Sequence, residues 1–287
     1  MTNKTIVITG ASSGIGKATM QYLDSLGFRV YAGVRRYEDI KNVTKETSSR
    51  VTPLLLDVTD EASIVKAVKI VQQGVGGAGI NGLVNNAGIF LGGPLEFLPI
   101  DALRNQFEVN VIGQIAVTQH FLPLLRLSQG RIVFVGSTSG FVSPPILGPY
   151  SASKYALRAL VDSLRNELYP ASISVSLVVA GSVTTPIWNK AISSADEIYM
   201  SIPATAQEYY RPMLKSTIAR GTMRIKIGIS PIEVAKTIHH ALTSRFPRTQ
   251  YLVGIDAKLQ AFAFWLLPSR LVDSLFRFQL NIKKIPH

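Results

Sequence analysis

Cysteine is absent from the 287 residues, which excludes disulfides, thiolate metal sites and a cysteine nucleophile, and says nothing about redox compartment. Only four histidines occur, two of them adjacent at His239 and His240, and they offer no metal-ligand spacing, so no metal is expected. No apolar run reaches the ~18 residues of a membrane span, and a strand-like run from Lys4 to Thr9 leaves no room for a signal peptide. A cytoplasmic protein is expected, or one associated with a membrane through its tail. No Pro/Gly/Ser-rich linker, repeat or low-complexity tract divides the chain, which reads as one domain over residues 1–258 with an amphipathic extension over 259–287. Acidic residues are scarce, 18 against 30 basic ones, and the resulting +12 suits anionic cofactors, phosphorylated substrates or an anionic lipid surface. The basic residues are dispersed and carry no helix-turn-helix, zinc-finger or RNA-binding signature, so no nucleic-acid partner is expected.

What is present centres on Tyr150-Ser-Ala-Ser-Lys154. On a helix, residues four apart share a face. Tyr and Lys have ordinary pKa values of about 10 and 10.4, and a neighbouring ammonium is expected to lower the Tyr150 pKa toward working pH. Alone, such a pair is more often a solvated surface feature. Its meaning depends on the rest of the chain.

Residues 4–9 read as a buried strand that runs into Gly10-Ala-Ser12-Ser13-Gly14-Ile15-Gly16 and then a helical pattern to about Leu26. Strand, glycine-rich turn and helix form an anion site at a helix N-terminus: Gly10 for the turn, Gly14 for close approach to a pyrophosphate, Gly16 for helix–strand packing, Ser12 and Ser13 as extra donors. The spacing Gly-x-x-x-Gly-x-Gly differs from the commoner Gly-x-Gly-x-x-Gly. A second strand, 28–34, ends in Arg35-Arg36, where an acidic residue would grip the ribose hydroxyls of NAD; arginines suit a 2′-phosphate, favouring NADP(H) over NAD(H). The third strand, 51–56, is closed by Asp57-Val58; Asp57 could accept from an adenine amine, or Asp57 or Asp60 could cap the next helix. The fourth, 80–84, ends in Asn85-Asn86-Ala87-Gly88, a turn or a tie between strand ends that floors the cofactor site. A long helical region over 101–125 carries Asn110, and a fifth strand, 131–135, ends in Gly136-Ser137. This alternation argues for an α/β fold with a doubly wound parallel sheet flanked by helices. Ligands bind such sheets beyond the strand carboxyl ends, where Gly10, Arg35, Asp57, Asn86 and Ser137 all fall.

Together these motifs resemble the short-chain dehydrogenase/reductase family in its classical branch, over roughly residues 4–186. The resemblance implies a Rossmann-type fold and reversible alcohol/carbonyl oxidoreduction with a nicotinamide cofactor. It makes Tyr150 the general acid/base, Lys154 the group that lowers its pKa and binds the nicotinamide ribose, and Ser137 a hydrogen-bond partner of the substrate oxygen. Asn110 would hold a water relaying protons toward Lys154. Ile15, Val58, Ala87 and Gly88 would line the cofactor, and Val183 and Thr185 would hold its carboxamide end. One departure follows the sixth strand (172–179): the family's Pro-Gly is Ala180-Gly181 here, which is expected to loosen that turn. Homo-oligomerisation through the helices near 101–125 and 150–168 is a further family expectation.

The pattern loosens over about 187–228, where Trp188, Ile198, Tyr199, Tyr209, Tyr210 and Met213 suit either a lid over an apolar substrate or packing against the core. Trp188 is a candidate substrate contact. Ser230-Pro-x-Glu233 reads as a capping box opening a helix to about Leu242, before a last strand at 250–253. In the tail, Phe262, Trp265, Leu271, Leu275, Phe276 and Phe278 interleave with Arg270, Arg277, Lys283 and Lys284. That composition suits a membrane-interface helix, a cover over the pocket or a subunit contact. Lid and tail point to a lipophilic substrate, and the chain is similar to the retinol and hydroxysteroid dehydrogenase group. A small ketone, an acyl thioester or a non-catalytic NADP(H) sensor is the alternative.

Overall fold

The computed structural model describes residues 4–280 and 282; Lys283 and Lys284 lie outside them. Among the described residues, one sheet contains β1 (Thr5–Ile8), β2 (Arg29–Val34), β3 (Val51–Leu55), β4 (Gly82–Asn85), β5 (Arg131–Ser137), β6 (Ser174–Ala180) and β7 (Gln250–Val253). Their order is β3-β2-β1-β4-β5-β6-β7, and every pairing is parallel. The direction of winding reverses between β1 and β4. That reversal opens a crevice beyond the strand ends.

Parallel strands are buried on both faces, which is why they read as continuous apolar runs rather than alternating ones. Ile6 and Ile8 pack against α1 (Gly14–Ser25), α2 (Tyr37–Glu46) and α9 (Pro231–Thr243), while Val7 faces α3 (Glu61–Val75), α5 (Gly113–Ser128) and α6 (Gly148–Glu167). Fully buried side chains such as Phe121, Phe134 and Leu83 each contribute about 1.5–3 kcal/mol. In α6 the buried positions are Pro149, Ser151, Ser153, Lys154, Leu157 and Val161. Leu157 and Val161 anchor the helix on the sheet, so the same face carries Lys154 to the end of β5.

The helical region expected over 101–125 is divided. α4 (Ile100–Phe107) passes through a wide π-turn, Glu108–Ile112, into α5. Gly113 donates to the carbonyl of Glu108, and a Cβ on Gly113 would strike the carbonyl of Val58. Such π-turns commonly mark functional sites, and here the turn buries Asn110. The segment expected to be loosely patterned holds two helices, α7 (Ile187–Ser201) and α8 (Ala204–Lys226). The capping box at Ser230 is half formed: Ser230 accepts from Ile232 N–H at 3.4 Å, but the Glu233 carboxylate pairs with Lys236 at 2.8 Å instead of reaching back. The tail is two helices, α10 (Ile255–Leu266) and α11 (Ser269–Gln279). No described helix is long and apolar enough to cross a membrane.

Candidate active site

The crevice floor is a hydrogen-bonded tie between β1 and β4. Thr9 Oγ1 accepts the N–H groups of Asn86 and Ala87, each at 3.0 Å, and Asn86 Nδ2 donates to the carbonyls of Thr9 and Gly10, each at 3.0 Å. Asn85 lies behind it, buried and donating to Thr118 Oγ1 at 2.7 Å. Of the two readings of the paired asparagines, the strand tie is the one seen. Gly10 (φ +66°) and Gly14 (φ +55°) both adopt left-handed backbone. A Cβ on Gly16 would overlap the Gly10 carbonyl. Ser13 caps α1 without a side-chain hydrogen bond, leaving its hydroxyl and the first-turn N–H groups open to the crevice. These features fit the pyrophosphate of a dinucleotide.

Arg35 and Arg36 line the same crevice beyond β2. They differ in state. Arg36 is held by Asp39 at 3.3 Å, whereas Arg35 forms no ion pair among the described residues. Asp57 and Val58 close the neighbouring wall. Asp57 Oδ1 accepts from the N–H and hydroxyl of Thr59, at 3.0 and 2.8 Å, and Asp60 is the residue that caps α3.

At the other end, Tyr150 and Ser137 meet. Ser137 terminates β5, accepts Ser139 N–H at 3.2 Å, and lies beside the Tyr150 hydroxyl, where it favours the phenolate. Burial acts more strongly the other way. The Tyr150 pKa is pushed up to about 12 by desolvation, contrary to the lowering expected from Lys154. The geometry gives the reason. Lys154 Nζ donates to the carbonyl of Val135 at 3.0 Å and lies 5.8 Å from the Tyr150 ring centroid, and burial lowers its own pKa to about 8. An ammonium turned toward a backbone carbonyl does little for the phenol.

The Asn110 side chain makes three hydrogen bonds within the protein. Its Oδ1 accepts Ile89 N–H at 2.8 Å, and its Nδ2 donates to the Ile89 carbonyl at 2.9 Å and to Ser153 Oγ at 3.1 Å. Both amide hydrogens are used within the protein, and Oδ1, which accepts one bond, keeps a lone pair that could accept from the expected water. What the arrangement does is fix the strand-end loop to α6. Ser153 Oγ donates to the Tyr150 carbonyl at 2.7 Å, and Gln106 Nε2 joins at 3.4 Å from Ser153 while bonding Ile89 O at 2.8 Å.

The turn after β6 is not loose. Ser182 N–H donates to Asp256 Oδ2 at 2.7 Å and Gly181 N–H to the Val253 carbonyl at 3.0 Å. Asp256, at the start of α10, does what the missing proline was expected to do. Val183 pairs with Ile229, and Thr185 approaches the glycine turn: its Cγ2 lies 3.2 Å from where a Gly14 Cβ would be.

One cleft of about 670 Å³ joins all of this. It runs past Gly88, Tyr150 and Lys154 under Trp188 and α8 to Phe276, Gln279 and Leu280 of the tail. Phe90 stacks on Tyr150 at 4.3 Å between centroids and meets Trp188 edge-on at 5.3 Å, forming an aromatic wall. The tail fastens to α8 where Arg220 donates to Gln279 Oε1 at 3.0 Å.

A glycine-turn dinucleotide crevice ending at Ser137, Tyr150 and Lys154 is matched by a known family: its model, described as short chain dehydrogenase, covers residues 4–196. The chain belongs to the short-chain dehydrogenases. Among curated relatives, an NADPH-dependent 3-dehydrocapnine reductase from Ornithobacterium rhinotracheale is 35% identical over 275 residues, covering 94% of this chain and 95% of the relative. Retinol dehydrogenase 5 from Mus musculus is 36% identical over 281 residues, covering 96% and 88%. A 17-beta-hydroxysteroid dehydrogenase type 6 from Bos taurus is 37% identical over 279 residues, covering 94% and 87%. The resemblance to the retinol and hydroxysteroid group therefore holds. Among solved structures, a short-chain dehydrogenase from Burkholderia cenocepacia J2315 in complex with NADP aligns with a TM-score of 0.73 at 25% identity, covering 95% of this chain and 97% of that one.

This short-chain dehydrogenase also has site residues that its sequence did not flag. Ser153 stands three residues after Tyr150, a spacing that could have suggested a helix-face partner. Gln106 and Phe90 had no such signal. Asp256 and Thr217 are brought in from far along the chain.

Proposed function

We propose that this short-chain dehydrogenase interconverts an alcohol and a carbonyl on a lipophilic, steroid- or retinoid-like small molecule, using NADP(H) in preference to NAD(H). The observation that carries this is the single cleft, with Ser137, Tyr150 and Lys154 at one point along it and an apolar, aromatic lid beyond them. Gly10, Ser12, Ser13, Gly14, Ile15, Gly16, Asn86, Ala87 and Gly88 would hold the dinucleotide, with Val183 and Thr185 at its nicotinamide end. Arg35 supports NADP(H), because a guanidinium without an ion-pair partner among the described residues is available to a 2′-phosphate.

The bound nicotinamide supplies or accepts the hydride. The chain's residues handle the proton and the orientation. With a pKa near 12, Tyr150 is a phenol at neutral pH and donates its proton to the nascent alkoxide during carbonyl reduction. Ser137 hydrogen-bonds the same substrate oxygen and stabilises its developing charge. Lys154 acts from the ribose side, where the hydroxyls of the nicotinamide ribose would accept hydrogen bonds from its ammonium and so favour the charged form. Asn110, Gln106 and Ser153 position α6 against the strand-end loop. A panel of steroid, retinal, short-ketone and sugar carbonyls, followed as NADPH oxidation at 340 nm, tests the reading; turnover of the sugar alone would remove the lipophilic substrate.

The same proposal places the tail at a lipid surface. Phe262, Trp265, Leu266 and Phe278 project outward, Trp265 at 81% and Phe278 at 87% exposure, on helices edged by Arg270 and Arg277. Exposed apolar residues with basic flanks suit an anionic bilayer interface, and Phe276 on the same helix lines the cleft. A second copy is proposed to dock on α5 and α6, whose outer faces expose Leu127, Tyr155 and Leu160.

A further inference from the structure

Deep in the lid, two polar atoms of cleft-lining residues are buried without partners among the described residues. Thr217 of α8 is 7% exposed, and among the described residues its Oγ1 has no hydrogen-bond partner; the Nε1 of Trp188, on α7, is likewise buried and without a partner among them. Both residues line the cleft. A buried hydroxyl or indole N–H without a partner costs about 1–3 kcal/mol. Neither group is used by the proton-transfer machinery. The surroundings hold Trp188 in place: Phe90 meets its edge, and Gly221, one turn after Thr217, leaves the space its ring occupies, since a Cβ there would overlap it. The aromatic wall thus leads from the Tyr150 phenol along Phe90 to this polar pair.

We infer that Trp188 Nε1–H and Thr217 Oγ1–H form a second polar subsite, which receives a hydrogen-bond-accepting oxygen at the far end of a lipophilic substrate. The inference rests on the proposed function and narrows its substrate class. The substrate carries two oxygens, one reacting at Tyr150 and one read by the lid. A hydrocarbon tail with no distal acceptor would leave both donors unsatisfied in the complex. Discrimination of this kind is strong because the penalty falls on the wrong substrate.

The test uses a matched pair: a hydroxysteroid bearing a ketone on the far ring, and the same steroid without it. For the wild type, kcat/KM should favour the ketone-bearing compound about tenfold, as one to two hydrogen bonds imply. In Thr217→Val, which keeps the shape and removes the hydroxyl, and in Trp188→Phe, that ratio should fall toward one. Binding provides a readout independent of turnover. In Trp265→Phe, Trp188 is the sole tryptophan of the chain, and its emission should respond at lower concentration to the ketone-bearing compound. A wild-type ratio near one, or a ratio unchanged by Thr217→Val, overturns the subsite while leaving the lipophilic-substrate reading intact. Failure of both compounds to turn over and to perturb Trp188 overturns both.

Discussion

Lys154 Nζ donates to the main-chain carbonyl of Val135 at 3.0 Å, although Tyr150 stands one helical turn away on the same face. Buried and lacking a carboxylate, the ammonium has a pKa of about 8, against an ordinary 10.5. In the free enzyme the Tyr–Lys pair is therefore two desolvated groups, each leaning toward its neutral form.

The sign of the stability effect follows. Between about pH 8 and 10.5 the unfolded chain holds a proton that folded Lys154 has released, so this group makes stability rise with pH through that window; below it, the full cost of burying the charge is present. Lys154→Met lacks that dependence. The difference in Tm, variant minus wild type, should fall as pH is raised from 7 to 9.5, while the variant loses at least about 100-fold in kcat. A pH-independent difference would show that Lys154 is not desolvated in the folded chain.

Arg36 is restrained by Asp39, and Arg35 is not. Arg35→Asp should therefore reverse or abolish the NADPH preference, measured as the ratio of kcat/KM for NADPH and NADH. Asp39→Asn releases the second guanidinium and should raise that ratio about three- to tenfold, the scale of one charge-assisted hydrogen bond. If Arg35→Asp leaves the ratio unchanged, the 2′-phosphate is read elsewhere.

Asp256 fastens the tail's first helix to the turn after β6 by accepting Ser182 N–H at 2.7 Å. Asp256→Ala removes the acceptor and should lower stability by about 1–3 kcal/mol, seen as a reduced denaturant midpoint with unchanged m-value. It should also raise the KM for cofactor more than it lowers kcat, because the turn leads into Val183 and Thr185. Asp256→Asn, which retains an acceptor, should recover most of the midpoint.

The sequence made legible what is local or tied to strand ends. The glycine turn, Asn86, Ser137 and Tyr150 each follow a strand or open a helix, and parallel topology brings such positions to one edge. Contacts set by distant residues were hidden: Ser182 with Asp256 across 74 positions, Asn110 with Ser153 across 43. The π-turn at Glu108–Ile112 leaves no periodic trace, since it adds one residue to an otherwise helical pattern. Burial misled the reading of Tyr150. Spacing showed an ammonium within reach but not the desolvation that outweighs it. Helices α7 and α8 were obscured by the mixed polarity of their sequence.

The most direct measurement is the rate of NADPH oxidation at 340 nm with a lipophilic carbonyl, comparing wild type with Tyr150→Phe at saturating cofactor. Loss of the phenolic proton should lower kcat by about 100- to 10,000-fold, while the Kd for NADPH, read by fluorescence, stays within about threefold. Near-normal turnover by Tyr150→Phe would contradict the assignment of Tyr150 as the proton donor, and with it the account of this site.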